Sequence, residues 1–263
     1  MDGMLSQEEI NALLGGMGDS AENTSDVVAS EPTPAAADSN ERLSPEESDA
    51  LGEIANISMG TAATTLSVLV NNRVEITTPK LSYVTLDDLK EQNPAPCVFI
   101  YISYRTGLEG KNILVLKEHD VKVITDLMMG GDGTNTDAEL TDLHLSAISE
   151  AMNQMMGSAA TSMSSMINEK VDISPPSSTR VDLTNTMMED GLHDMVGQTF
   201  VQVSFRMTIG DLVDSEIMQL YPFDFAKLIY TRFRSTMEGG MEETAASEPE
   251  PAPQPEPVAA PVQ

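Results

Sequence analysis

Apolar residues recur at helical spacing over two long segments of this chain, and in alternating or continuous runs between them. Leu51, Ala55, Ala62, Leu66 and Leu69 mark the first periodic segment. Ser44, Pro45 and Glu47 start it, with Pro in the first turn and Glu at the capping-box position, so a helix is expected to about Val70. Ile148, Met152, Ala159, Met163 and Met166 mark the second, which predicts a helix over about Leu140–Asn168. Strand patterns lie at Val74–Thr77, Lys80–Thr85, Val98–Arg105 and Lys111–Leu116, and again at Val171–Ile173, Thr179–Leu183, Thr199–Ile209 and Leu212–Leu220. Shorter helices are expected at roughly His119–Met129, stopped by Gly130 and Gly131, and from Phe223 to about Arg234.

The order of elements occurs twice, and so does a set of polar residues. Asp49, Glu53 and Asn56 stand four and then three residues apart, and Pro79 follows after 22 intervening residues. Ser146, Glu150, Asn153 and Pro176 repeat that spacing without a gap, 97 residues downstream. "CVFIYISYR" and "TFVQVSFR" occupy matching places, as do "NILVLKEHDVKVI" and "SEIMQLYPFDFAKLI", where the offset has grown to about 104. Coincidence of long spacings marks a duplicated unit. Neither half carries enough helix and strand to hide its own apolar faces. The expected fold is therefore one α+β pseudo-twofold domain over 44–237, with units of about 44–131 and 139–235. An antiparallel or mixed sheet is shared between the units, and two long helices lie on its surface.

On a helical wheel with Asp49 at zero, Glu53 falls near 40°, Asn56 near -20° and Gly60 near 20°. Ser146, Glu150, Asn153 and Gly157 form the matching stripe, opposite the buried face of the second helix. A polar face is what any surface helix shows, and for one helix that explanation would suffice. Here the same types recur at the same spacing. Gly, which costs a helix about 1 kcal/mol relative to Ala, and Asn, a poor helix former, recur where Lys or Gln would serve a solvated face better. A Gly on the polar side lets another protein approach closely. An Asn amide offers donor and acceptor and can orient a water, and a Glu carboxylate can pair with a partner's Lys or Arg. No Ser-His-Asp or Cys-His arrangement, phosphate-binding Gly loop or zinc-ligand spacing is visible. The chemistry that fits is placement of a water for in-line attack on a phosphoryl group already activated by the partner's own metal.

Composition narrows the partners. The chain has 263 residues and a net charge of -28, so nucleic acid and anionic membrane surfaces are repelled. No apolar stretch approaches 18 residues, and no secretory signal or direct membrane insertion is expected. Cys97 is the single cysteine and starts an apolar run, which predicts a buried thiol and fits a reducing cytosol. His119, His144 and His193 are scattered and read as caps or surface residues, and no metal site of the chain's own is expected.

Residues 1–16 read as a separate peptide helix. Ser6 and Glu9 form a capping box, Leu5 can staple onto Ile10, and Gly15 and Gly16 stop the helix. Its stretch Leu5, Ser6, Gln7, Glu8, Glu9, Ile10, Asn11, Ala12, Leu13 and Leu14 presents Leu5, Ile10, Leu13 and Leu14 on one face. A helix this short is marginal alone. Docking on its own domain is the plain explanation, and partner recognition is preferred because an acidic linker over 17–43, expected to be disordered, separates it from the rest. Residues 238–263, rich in Glu, Pro and Ala, are expected to form a disordered tail.

The doubled pattern resembles the CheC/CheX/FliY family of response-regulator phosphatases, whose motif is Asp or Ser, three residues, Glu, two residues, Asn, 22 residues, Pro; both copies match it without departure. "MLSQEEINALL" resembles the peptide by which flagellar switch proteins capture phosphorylated CheY. The resemblance implies a CheC-like fold and hydrolysis of the CheY aspartyl-phosphate at the flagellar motor switch. Asn56 and Asn153 would orient the attacking water, and Glu53 and Glu150 would pair with a lysine of CheY. Asp49, Gly60, Pro79, Ser146, Gly157 and Pro176 would support the motif. It also implies no cofactor of its own, Mg²⁺ carried by CheY, and a cytoplasmic location, peripheral at the basal-body switch. Further partners would come from FliM, FliG and a FliN-like switch protein. Switch members of the family end in a FliN-like domain; an acidic tail stands there in this chain, so a shortened form or a separately supplied FliN-like protein is expected. The alternative is a non-catalytic switch or adaptor protein that only binds phosphorylated CheY.

Overall fold

The computed structural model describes residues 42–184 and 195–245, with side chains through Glu238. The peptide of residues 1–16, the linker to residue 41 and the tail from residue 246 lie outside the described residues.

The first unit contains α1 (Pro45–Leu69), β1 (Val74–Ile76), β2 (Lys80–Thr85), α2 (Leu86–Gln92), β3 (Cys97–Thr106), β4 (Gly110–Lys117) and α3 (Glu118–Met128). The second contains α4 (Asp142–Ile167), β5 (Asp172–Ile173), β6 (Ser177–Val181), β7 (Thr199–Ile209), β8 (Val213–Pro222) and α5 (Phe223–Ala245). The start of α1 is the expected capping box: Ser44 N–H donates to Glu47 Oε2 at 2.7 Å and Glu47 N–H to Ser44 Oγ at 3.1 Å. At α4 the capping role falls to His144, whose Nδ1 accepts from Thr141 N–H at 3.1 Å.

Each unit gives its two outer strands to the other. The eight described strands make one antiparallel sheet in the order β1-β7-β8-β4-β3-β5, with β2 also on β7 and β6 also on β3. Val74 of β1 faces Ile209 and Tyr83 of β2 faces Val201, both across the unit boundary. Ile173 of β5 faces Tyr104, and Thr179 of β6 faces Phe99. The boundary itself is the pair β4–β8, where Leu114 faces Gln219. Separating the units would strip both outer strands from each, so the duplication is one cooperative domain.

Both faces of the sheet are covered. Val98, Ile100, Ile102 and Leu114 point into a core with α1, α3, α4 and α5, while Cys97, Phe99 and Val115 point to a second core that includes Leu86 and Leu89 of α2. A strand buried on both sides reads as a continuous apolar run, which is why "CVFIYI" does not alternate. Cys97 is buried, as expected, and burial pushes its thiol up to about 11.

Three elements differ from expectation. The sequence pattern predicts no helix at α2, although Thr85 and Asp88 form a capping box there, with Thr85 N–H donating to Asp88 Oδ2 at 2.7 Å. Seven residues with only Leu86 and Leu89 buried leave too little periodicity to register. Strand β6 lies two residues earlier than expected at both ends, because pairing with β3 sets its register. The last helix, expected to stop near Arg234, continues to Ala245, so the stretch 238–245 assigned to the tail is helical. Arg234 pairs with Glu238 one turn on at 2.7 Å, and no proline interrupts until Pro249.

The ends of α1 and α4 are built alike. Ser67 Oγ donates to Ala63 O at 2.8 Å and accepts Val74 N–H at 2.9 Å. Ser164 does the same with Ala160 O and Val171 N–H, both at 2.8 Å. Asn71 and Asn168, at φ 48° and 51°, turn each chain back in the left-handed conformation that Asn tolerates. Each long helix is thus locked to the strand that follows it, which sets the helix face relative to the sheet. No described helix is long and apolar enough to cross a membrane.

Candidate functional site

The buried faces of α1 and α4 determine what is left outside. Leu51, Ile54, Ala55, Met59, Ala62 and Leu66 are buried on α1, and the two helices pack against each other. At their heart Gln219 of β8 donates to Met59 Sδ at 3.3 Å and lies 4.0 Å from Met156 Sδ, the equivalent residue 97 positions on. With those faces committed, the repeated polar stripe must face outward. Glu53 and Glu150 are exposed, and Asn56 and Asn153 are half-buried one turn on. Asp49 and Ser146 are exposed at the outer ends of the stripes.

The wheel places Gly60 and Gly157 beside these pairs, and the structure shows what they leave. A methyl group built on either would meet nothing within 4 Å. Neither glycine is required by the domain's own packing or by backbone conformation. Thr64 and Thr161 hydroxyls donate to the Gly60 and Gly157 carbonyls at 3.3 and 3.0 Å, one turn on in each helix. Gly60→Ala and Gly157→Ala are each expected to stabilise the domain by about 0.5–1 kcal/mol, while raising the KM for a partner that docks on the stripe. Urea denaturation and steady-state kinetics of the same variants check this; a gain in stability with unchanged KM would remove the docking role.

In the second unit the whole motif surrounds a cleft of about 460 Å³, lined by Ser146, Glu150, Asn153 and Pro176 together with Ser149 and Ser178. Pro176, 23 residues from Asn153 in sequence, is thereby brought to the same site. It is buried, whereas Pro79 is half-buried. Ser149 and Ser178 carry no signal in the sequence pattern. Ser149 Oγ donates to Ser178 Oγ at 2.8 Å, and Ser178 Oγ to Leu145 O at 2.7 Å, tying α4 to β6 along the cleft floor. The equivalent positions in the first unit are Gly52 and Leu81, which carry no hydroxyl; a methyl built on Gly52 would lie 3.4 Å from Leu81 Cδ1. Comparing the two copies at an offset of 97 would have exposed this difference. Among the described residues no cluster of three or more His, Cys, Asp or Glu could hold a metal ion. The Glu150 carboxylate, the Asn153 amide and the serine hydroxyls can donate and accept hydrogen bonds, place a water and pair with a cation.

The duplicated α+β domain thus carries an exposed Glu and a half-buried Asn on the outer face of each long helix. The model of the CheC-like family matches residues 46–83 and 143–180, the two segments that carry the stripes. The chain belongs to the CheC-like family. It is 44% identical over 244 residues, 93% of its length, to the flagellar motor switch phosphatase FliY of Bacillus subtilis, and spans 61% of that protein. It is 38% identical to Thermotoga maritima FliY, whose crystal structure superposes with a TM-score of 0.67 over 74% of this chain and 98% of that one. The FliM middle domain of H. pylori shares the fold at 16% identity, with a TM-score of 0.55 over 72% of this chain and 99% of that one.

Proposed function

We propose that this protein is a phosphatase that hydrolyses the aspartyl-phosphate of the chemotaxis response regulator CheY. The observation that carries the reading is the second site, where Ser146, Glu150, Asn153 and Pro176 meet around one open cleft on an exposed helix face. Its support is the twofold family motif and the likeness to a FliY that is itself a motor switch phosphatase by name.

In this mechanism the Glu53 or Glu150 carboxylate pairs with a CheY lysine and seats the receiver on the helix, over the open space at Gly60 or Gly157. The amide of Asn56 or Asn153 enters the receiver's phosphorylation site. Its carbonyl oxygen accepts from a water and its N–H group supplies a donor, so that one lone pair of the water points at phosphorus in line with the departing aspartyl oxygen. Mg²⁺ belongs to CheY and neutralises the phosphoryl oxygens; the phosphatase contributes placement. Residues 4–14 tether CheY near both sites. The protein works in the cytoplasm, peripheral at the basal-body switch, beside switch proteins such as FliM and FliG, without nucleic acid or membrane insertion.

The test is inorganic phosphate release from phosphorylated CheY with and without the full chain. Acceleration well beyond the spontaneous rate of CheY, at substoichiometric phosphatase, is expected. Binding without acceleration would replace this reading with that of a non-catalytic adaptor.

A further inference from the structure

The two stripes share Glu, Asn and Gly and differ at their outer ends, Asp49 against Ser146, and one turn beyond each glutamate. In the second unit Gln154 Nε2 donates to Glu150 Oε1 at 2.8 Å. The residue 97 positions earlier is Ile57, which has nothing to donate and is 41% exposed. The adjoining floor differs in the same sense: Ser149 and Ser178 are hydrogen-bonded where Gly52 and Leu81 have no polar side chain.

We propose that Gln154 is a positioning residue for Glu150 in docking the partner's cation, a support that Glu53 lacks because Ile57 stands in its place. The inference rests on the phosphatase reading. A free glutamate must give up rotamer freedom when it pairs with an incoming ammonium group, and long flexible side chains lose the most. The Gln154 amide holds one carboxylate oxygen before the partner arrives and leaves Oε2 for the cation. Because the amide is neutral, it orients the carboxylate without cancelling its charge, which a lysine at this position would do. At Glu53 the ordering cost falls on the encounter itself. Gln154 touches neither water nor phosphorus in this arrangement, so its effect belongs to docking, and the chemical step is left to Asn153.

The experiment isolates each site by disabling the other. In full-length protein carrying Asn56→Ala, the further change Gln154→Ile is expected to raise the KM for phosphorylated CheY by about two- to fivefold with kcat unchanged. In protein carrying Asn153→Ala, the reciprocal Ile57→Gln is expected to lower KM by a similar factor. A structural role for Gln154 would not produce that gain in the first unit. An unmoved KM in either pair, or a fall in kcat in place of a change in KM, overturns the proposal. The parent reading fails differently: undiminished phosphate release from the Asn56→Ala/Asn153→Ala protein would sink it and this inference with it.

Discussion

Phosphate release from phosphorylated CheY is expected to fall about a hundredfold or more when Asn56 and Asn153 are both replaced by alanine, because a positioned amide acting on the reacting atoms carries an effect of that order. The substitution is well suited to the test. Both asparagines lie inside helices, where Ala is the best helix former, and both are only half-buried, so the fold should be kept or slightly stabilised. Glu53 and Glu150 remain in place, so docking, read as KM, should change little while kcat collapses. Comparison of kcat in the two single variants then shows how turnover divides between the sites. A double variant that still releases phosphate at the full rate would mean that the water is oriented by CheY alone.

A large loss of stability is expected at Gly107, in the hairpin between β3 and β4. Its φ is +71°, and a methyl group there would collide with the Lys170 carbonyl oxygen, where the chain leaves α4 for β5. The left-handed conformation costs an L-residue about 1–2 kcal/mol and a forced overlap in a packed region about 1–3 kcal/mol, so Gly107→Ala should destabilise by about 3 kcal/mol. Gly210, in the hairpin of β7 and β8, provides the internal control. Its φ is +47°, and its nearest neighbour would be Asn72 Oδ1 at 3.9 Å. Gly210→Ala should therefore cost only the backbone strain, about 1–2 kcal/mol. Urea denaturation of both variants decides it; equal losses would show that the approach of Lys170 to the β3–β4 hairpin yields easily.

Much of the candidate site is legible in the amino-acid sequence. The polar stripes survive as strings because a helix has a fixed period: Glu53, Asn56 and Gly60 must share a face whatever surrounds them, and the apolar residues opposite say which face is outside. The cleft is not legible in this way. Pro176, Ser178 and Ser149 come together because β6 lies beside α4, a distance set by packing and by the Ser149–Ser178 hydrogen bond. Gln154 is silent in the sequence, because a glutamine on an exposed helix face carries no signal until its amide is seen on Glu150. Helix α2 is hidden for a related reason, its two buried leucines being too few to establish a period.

Sequence alone determined the duplication, the element order apart from α2, the two helical faces and the residues that stand on them, since each follows from local periodicity and from spacings that repeat at an offset of 97. Tertiary structure alone decided that each unit hands its outer strands to the other, with β1 and β2 on β7 and β5 and β6 on β3. Strand patterns say that a segment pairs but not with what, because the hydrogen-bonding edge of a strand is the same backbone in every sequence. The same holds for what the unlike residues of the two sites touch. Gly52 with Leu81 and Ser149 with Ser178 are distant in sequence and become neighbours only when a helix is laid against a strand. That contact sets Leu81 near Gly52 beside Glu53, and a hydrogen-bonded polar cleft beside Glu150.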